Sequence, residues 1–165
     1  MSNSISYEKR PDLHSVQMNN GLTSVFISVI AIAASILAKN DLQRKIAVWF
    51  ASHDQGVFGL GLVGFDVSEL PWVQEDFDEQ KRFILQVIDS TTCQMGWEIL
   101  DYEPHKEWVF TSLENFRILI KAFEIQDRCN QISEIWGYVS EPKMFILCPK
   151  HKVYKHDGGC ILCND

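Results

Sequence analysis

Residues 21–38, from Gly21 to Ala38, read GLTSVFISVIAIAASILA and contain no charged side chain. This run lies at the lower edge of the length that a membrane-spanning helix needs, but serine and threonine interrupt it. Large apolar side chains recur at helical spacing, and small residues fill most of the opposite face. We therefore expect a core helix packed on two sides. A membrane helix stays open as the alternative, although basic residues flank both ends and give no orientation. The large apolar residues are Leu22, Val25, Phe26, Val29, Ile30, Ile36 and Leu37.

The same periodicity predicts three further helices downstream of this run. Between the second and third helices, residues 55–72 break the helical period and hold four of the nine glycines. We expect a glycine-rich loop or a short strand pair there. The predicted fold is therefore mainly α, a compact helical domain of about four helices. The three further helices are predicted at residues 42–53, at about 76–94 and from 105 to about 123.

Composition and charge exclude several classes of protein. The chain has 165 residues, enough for one domain with its own core and too few for two. It carries 15 basic and 22 acidic side chains, so its net charge of −7 disfavours binding to nucleic acid. Five cysteines, an odd number, fit poorly with a fully paired disulfide framework, and the polar first twenty residues lack the pattern of a secretory signal. We expect a cytoplasmic protein.

The C-terminal tail carries two pairs of metal-binding side chains. Cys148 and His151 form the first pair, Cys160 and Cys163 form the second, and each pair has a two-residue spacer. Two residues between ligands allow both side chains of a tight turn to reach one ion, so two turns complete a tetrahedral Cys3His site. We expect one structural Zn²⁺ per chain. The two-residue spacer, which is typical of a zinc knuckle, favours His151 as the nitrogen ligand, and His156 stays open as the alternative.

This tail resembles a minimal zinc ribbon or zinc knuckle over about the last twenty residues. The resemblance implies a small zinc-bound β-hairpin, and the residues before Cys148 and after Lys152 suit its two strands. Four protein ligands leave no open coordination position, which favours a structural ion over a catalytic one. The expected organisation is a polar N-terminal segment at residues 1–20, a helical domain at 21–140 and a zinc-binding tail at 141–165.

Two sequence patterns look catalytic, but neither has the structural context that its chemistry needs. Residues 59–64 match Gly-x-Gly-x-x-Gly, yet a helix rather than a strand is predicted before them, so we expect no dinucleotide site. Ser52, His53 and Asp54 are adjacent, and adjacent helical side chains point in different directions and cannot relay a proton. A small enzyme with its site near residues 53–66 remains an alternative function.

Acidic residues cluster before and within the start of the third helix. No lysine or arginine lies between Lys45 and Lys81, whereas seven acids do. Charge of this kind steers a basic partner, and an aromatic residue can anchor it. We therefore predict a non-catalytic protein–protein interaction module, similar in type to immunity and antitoxin proteins. The predicted partner-binding residues are Asp66, Glu69, Trp72, Glu75, Asp76, Asp78 and Glu79.

A nucleic-acid-binding zinc ribbon is the other alternative function. Basic residues and one tyrosine in the tail would form its contact surface. The tail has a net charge of only +1, and the remainder of the chain is acidic, so we expect no such binding. The residues in question are Lys143, Lys150, Lys152, Lys155 and Tyr154.

Overall fold

The computed structural model describes residues 3–137 and 139–164. Four long helices confirm the mainly α prediction, and each begins and ends within two residues of its predicted bounds. Two shorter α-helices, four short 3-10 helices and two short strands complete the regular elements of the described residues, and the first of the 3-10 helices spans Val67–Glu69. In chain order the elements are β1 (Ile5–Ser6), α1 (Asn20–Leu37), α2 (Asp41–Ser52), α3 (Gln55–Phe58), β2 (Phe65–Asp66), α4 (Phe77–Thr92), α5 (Lys106–Ala122) and α6 (Ile132–Trp136).

Helix α1 lies at the centre of the fold, in contact with α2, α4 and α5. Side-chain caps set the starts of the first two helices: Asn19 accepts the N–H of Leu22, and Asn40 accepts the N–H of Gln43. Helix α1 is long and apolar enough to cross a membrane by length and composition, with a mean hydropathy of 2.0. In this fold, however, 61% of its residues are buried inside the protein. Most of its predicted apolar stripe therefore packs inside the protein, as expected for a core helix, whereas Ile36 is 49% exposed. Phe26, Val29 and Ile30 are buried, and Leu22, Val25 and Leu37 are half-buried.

The N-terminal segment contributes to the core, although its composition is polar. Ile5, Tyr7 and Val16 are buried, and β1 pairs in parallel with β2 so that Ile5 lies opposite Phe65. The only strand that the structure describes in residues 55–72 thus pairs with the N-terminal segment, not with another part of the loop. A strand pair within this loop was therefore the wrong alternative. Its partner lies 60 residues away in the chain, beyond the reach of local sequence patterns.

The tail folds back onto α1 and α2. Two antiparallel bridges, Leu147 with Tyr154 and His156 with Gly159, organise it. The N–H of Tyr154 donates to Oγ of Ser35 in α1 at 3.1 Å, and the tyrosine hydroxyl accepts Nε of Arg44 from α2 at the same distance. Val153 and Ile161 are buried in the common core. The tail is thus packed against the helices by both polar and apolar contacts.

Candidate metal centre

Cys148, His151, Cys160 and Cys163 converge at one point of the tail, and this cluster could hold a metal ion. Their ligand atoms all lie within 4.8 Å of one another. Nδ1 of His151 is 3.8 Å from Sγ of Cys148, 3.6 Å from Sγ of Cys160 and 3.4 Å from Sγ of Cys163. The sulfur atoms of Cys148 and Cys163 are 3.7 Å apart. The structure thus brings together the four residues that the spacing predicts.

Two tight turns present these side chains. In the first turn, the N–H of Cys148 donates to the carbonyl of Val153, and the N–H of Lys152 donates back to the carbonyl of Cys148. Lys152 has a φ of 59°, the left-handed conformation that lets the chain reverse after His151. In the second turn, the N–H groups of Cys163 and Asn164 both donate to the carbonyl of Cys160. Each pair of ligands is therefore fixed by backbone hydrogen bonds.

The surroundings of the thiols prepare one of them to ionise. Burial raises the pKa of Cys148, but N–H groups of His151 and Lys150 directed at its sulfur outweigh burial and lower the pKa to about 6. Burial and the neighbouring Cys148 sulfur raise the pKa of Cys160 to about 12. Cys148 is therefore the first of this pair to become a thiolate, the form of cysteine that binds metals.

The cluster lies at the edge of the core, with one side open. Cys148 and Cys160 are buried, whereas Cys163 is exposed. Cys163 and His151 line a cleft of about 650 Å³ between the tail and residues 99–102. A metal ion can therefore reach the cluster from solvent through this cleft.

The structure places His151, and not His156, in the cluster with the three cysteines. The ring of His156 points away from the cluster, and its Nε2 lies 2.9 Å from Oδ2 of Asp54. Its Nδ1 accepts the N–H of Gly158 at 2.9 Å, so Nε2 carries the hydrogen and donates it to the carboxylate. Both ring nitrogens of His156 are thus engaged.

Part of the predicted acidic partner surface serves the fold instead. The prediction that Trp72 anchors a partner is wrong, because Trp72 is buried. It is 5% exposed, and its Nε1 donates a hydrogen bond to the carbonyl of Val67. Asp66 and Glu69 form a reciprocal cap, in which Asp66 accepts the N–H of Ser68 and Glu69 accepts the N–H of Asp66. The remaining predicted residues, Glu75, Asp76, Asp78 and Glu79, lie exposed or half-buried at the start of α4.

The residues proposed for the two alternative functions are placed unfavourably. His53 and Asp54 are buried, and the Ser52 hydroxyl donates to the carbonyl of Trp49 rather than to a catalytic base. The glycine pattern at residues 59–64 leads into β2 rather than into a helix, so it lacks the helix N-terminus that binds phosphate. Tyr154 is buried, which removes the aromatic surface predicted for nucleic-acid stacking.

The contact of Asp54 with the tail is the feature of this region that sequence patterns missed. Its carboxylate is buried and accepts hydrogen bonds from Gly56, His156 and Asn164. Burial alone raises the pKa of Asp54, but these donors outweigh burial and hold the pKa below its ordinary value. The two tail residues lie 102 and 110 positions away, so no local signal in the sequence connects them to Asp54.

No protein-family model matches the chain, and neither a curated protein nor a solved structure matches it. Inferences about what the chain does therefore start from its own side chains, above all from the Cys/His cluster.

Proposed function

We propose that the Cys/His cluster binds one structural zinc ion. The observation that carries this proposal is the set of distances between the ligand atoms. A tetrahedral ion with Zn–S bonds of about 2.3 Å and a Zn–N bond of about 2.0 Å requires edges of about 3.8 Å between sulfurs and about 3.5 Å from sulfur to nitrogen. The cluster has 3.7 Å between Cys148 and Cys163 and 3.4–3.8 Å from His151 to the three sulfurs.

The proposed ion stabilises the fold and takes no part in a reaction. Three thiolates and one imidazole fill the tetrahedral coordination sphere, so no position is left for a substrate or a water. The tail is short, and an ion that joins its two turns supplies folding energy that so few side chains cannot provide by packing alone. Zinc in this site would hold the tail against α1 and α2.

Metal analysis of protein purified without chelator tests the proposed site. We expect about one zinc per chain in the wild-type protein and loss of the metal in Cys148→Ser, Cys160→Ser and Cys163→Ser. Cys93→Ser is the matched control, because Cys93 lies at the end of α4, outside the cluster. Wild-type protein without metal, or a Cys160→Ser variant that keeps it, would contradict the proposal.

We further propose that the chain is a non-catalytic interaction module that binds a basic protein. This proposal is supported by an acidic surface at the start of α4, formed by Glu75, Asp76, Asp78 and Glu79. Lys81 is the nearest basic residue in the sequence. Its ammonium donates hydrogen bonds to the carbonyls of Lys121 and Phe123. Its ammonium is thus held at the end of α5, where its charge offsets part of the potential near Asp78. None of the ion pairs of the described residues involves the four acids, so their charges can still attract a basic partner.

Affinity capture from the native source, followed by binding kinetics on the captured protein, tests the interaction. Wild-type protein is compared with a variant in which Glu75, Asp76 and Asp78 are changed to lysine. The matched control reverses three exposed acids elsewhere, Glu98, Asp101 and Glu103. We expect the variant changed at Glu75, Asp76 and Asp78 to associate with the partner at least tenfold more slowly than wild type, and the control to associate at the wild-type rate. The association rate of wild type should also fall as salt rises. Equal association rates for all three proteins would show that the acidic surface serves only solubility.

A further inference from the structure

A single carboxylate from the helical body contacts the tail at two places. Oδ2 of Asp54 accepts two hydrogen bonds of 2.9 Å, one from Nε2 of His156 and one from Nδ2 of Asn164. Its other oxygen, Oδ1, accepts the N–H of Gly56 at 2.8 Å and caps the start of α3. The side chains of Asp54 and His156 are each 1% exposed. Asp54 is thus fixed on the body side and shared between two tail residues.

These two tail residues enclose the second pair of metal ligands. His156 lies four positions before Cys160, and Asn164 directly follows Cys163. The backbone carries the constraint inward, because His156 and Gly159 exchange two hydrogen bonds of 3.0 Å and the N–H of Asn164 donates to the carbonyl of Cys160. Asp54 therefore holds both ends of the segment that presents Cys160 and Cys163.

We infer that Asp54 is a positioning residue for the metal centre and raises the affinity of the cluster for zinc. The inference rests on the proposed zinc site. In the metal-free chain, the tail loses the bonds that join its two turns through the ion, and its contacts with Asp54 loosen with them. Hydrogen bonds of Asp54 that are stronger in the metal-bound form than in the metal-free form raise the affinity of the cluster for the metal. By thermodynamic reciprocity, metal binding stabilises these hydrogen bonds by the same free energy.

The direction of the hydrogen bonds makes the carboxylate specific. Because Gly158 donates to Nδ1 of His156, the ring must donate from Nε2, and Asn164 also donates through its amide. Oδ2 of Asp54 therefore faces two donors. In Asp54→Asn, an amide that keeps the Gly56 bond turns its NH₂ group toward these donors with little change in volume. The contact with Nε2 of His156 is then lost, and Asn164 can keep its contact only by reversing its amide, which breaks its bond to the carbonyl of Gly158.

Titration with Co²⁺, followed by competition with Zn²⁺, tests the inference on the full chain. Thiolate-to-cobalt absorption reports the coordination of the ion itself, and a loss of global stability leaves it unchanged as long as the variant stays folded. We expect Asp54→Asn to bind Co²⁺ and Zn²⁺ about tenfold or more weakly than wild type. Asp66→Asn is the matched control, because Asp66 caps a short helix in the body and bonds Ser6, Glu8 and Ser68. We expect it to lower stability and leave metal affinity unchanged.

A second variant covers the case in which Asp54→Asn fails to fold. Asn164→Ala removes one of the two tail contacts from an exposed position, and Asp157→Ala alters an exposed residue of the neighbouring turn. We expect severalfold weaker Co²⁺ binding for Asn164→Ala and wild-type affinity for Asp157→Ala. Wild-type affinity in Asp54→Asn, or in Asn164→Ala where Asp54→Asn does not fold, would overturn the inference. Failure of the wild-type protein to bind either ion would instead overturn the proposed zinc site.

Discussion

The indole of Trp72 stacks on the ring of Phe123, with ring centroids 5.0 Å apart and planes inclined by 15°. Phe77, the first residue of α4, packs against the indole with its ring at a steep angle. Phe123 directly follows α5, so this aromatic group joins the start of α4 to the end of α5. An aromatic residue that lies among acids in the sequence therefore belongs to the core.

We expect Trp72→Ala to lower the free energy of unfolding by about 3 to 5 kcal/mol, since it opens a large cavity and removes an aromatic stack. Trp108→Ala is the matched control, because Trp108 is 55% exposed and stacks only on His105 among the described ring contacts. This control should change stability by about 1 kcal/mol or less. Urea denaturation measures both. Equal losses in the two variants would contradict the placement of Trp72.

Gly96 and Gly61 share a φ of 78° but differ in their surroundings. An added Cβ at Gly96 would lie 2.3 Å from Cγ2 of Ile32 and 2.8 Å from Cδ1 of Ile36, whereas nothing lies within 4 Å at Gly61. We expect Gly61→Ala to cost about 1 to 2 kcal/mol through backbone strain alone. Gly96→Ala should cost about 1 to 3 kcal/mol more, because the side chains of Ile32 and Ile36 must move away from the added methyl group. Thermal unfolding compares the two, and similar losses would argue against close packing of Gly96 on α1.

His53 makes stability depend on pH. Burial is the main reason that its pKa falls from 6.5 to about 4, and the nearby His156 lowers it further, against the hydrogen bond to the Trp49 carbonyl. Between pH 4 and pH 6.5, His53 is protonated in the unfolded chain and neutral in the folded chain, so the free energy of unfolding rises with pH. We expect a loss of about 1.4 kcal/mol per pH unit as pH falls from 6.5 toward 4.

Urea denaturation across this pH range measures the contribution of His53. His53→Gln removes the titrating ring, and the difference from wild type isolates its slope from the metal ligands and carboxylates that titrate in both proteins. His14→Gln is the control, because His14 is exposed. A His53→Gln variant with the same pH slope as wild type would contradict this prediction.

Metal removal should weaken the whole chain while leaving its helices formed. We expect the unfolding temperature to rise with free zinc, and stability to gain about 4 kcal/mol when free zinc exceeds the dissociation constant a thousandfold. Helical circular dichroism at low temperature should persist with chelator, because most side chains of the common core come from α1, α2, α4 and α5. Cys163→Ser should abolish the zinc dependence, and Cys129→Ser should preserve it. A zinc-independent unfolding temperature in wild type would contradict the role of the ion.

The sequence by itself determined the four long helices and the three cysteines of the Cys/His cluster. Both signals are local: helical periodicity repeats every three to four residues, and each ligand pair spans a single turn. Helix α1 begins one residue before its predicted start because the side chain of Asn19 accepts the N–H of Leu22 and caps the helix there. Local side-chain chemistry of this kind needs no knowledge of the remaining chain.

Only the tertiary structure decided the pairing of β1 with β2, the burial of Trp72 and the choice of His151 over His156. Each of these depends on a partner far away in the chain: Phe65 for Ile5, Phe123 for Trp72 and Asp54 for His156. The spacing around His156 would permit it to bind a metal. Its ring instead donates a hydrogen bond to the buried carboxylate of Asp54. Contacts between distant segments form when the helices bury their common core. Periodicity and spacing within a short stretch of sequence therefore cannot predict them.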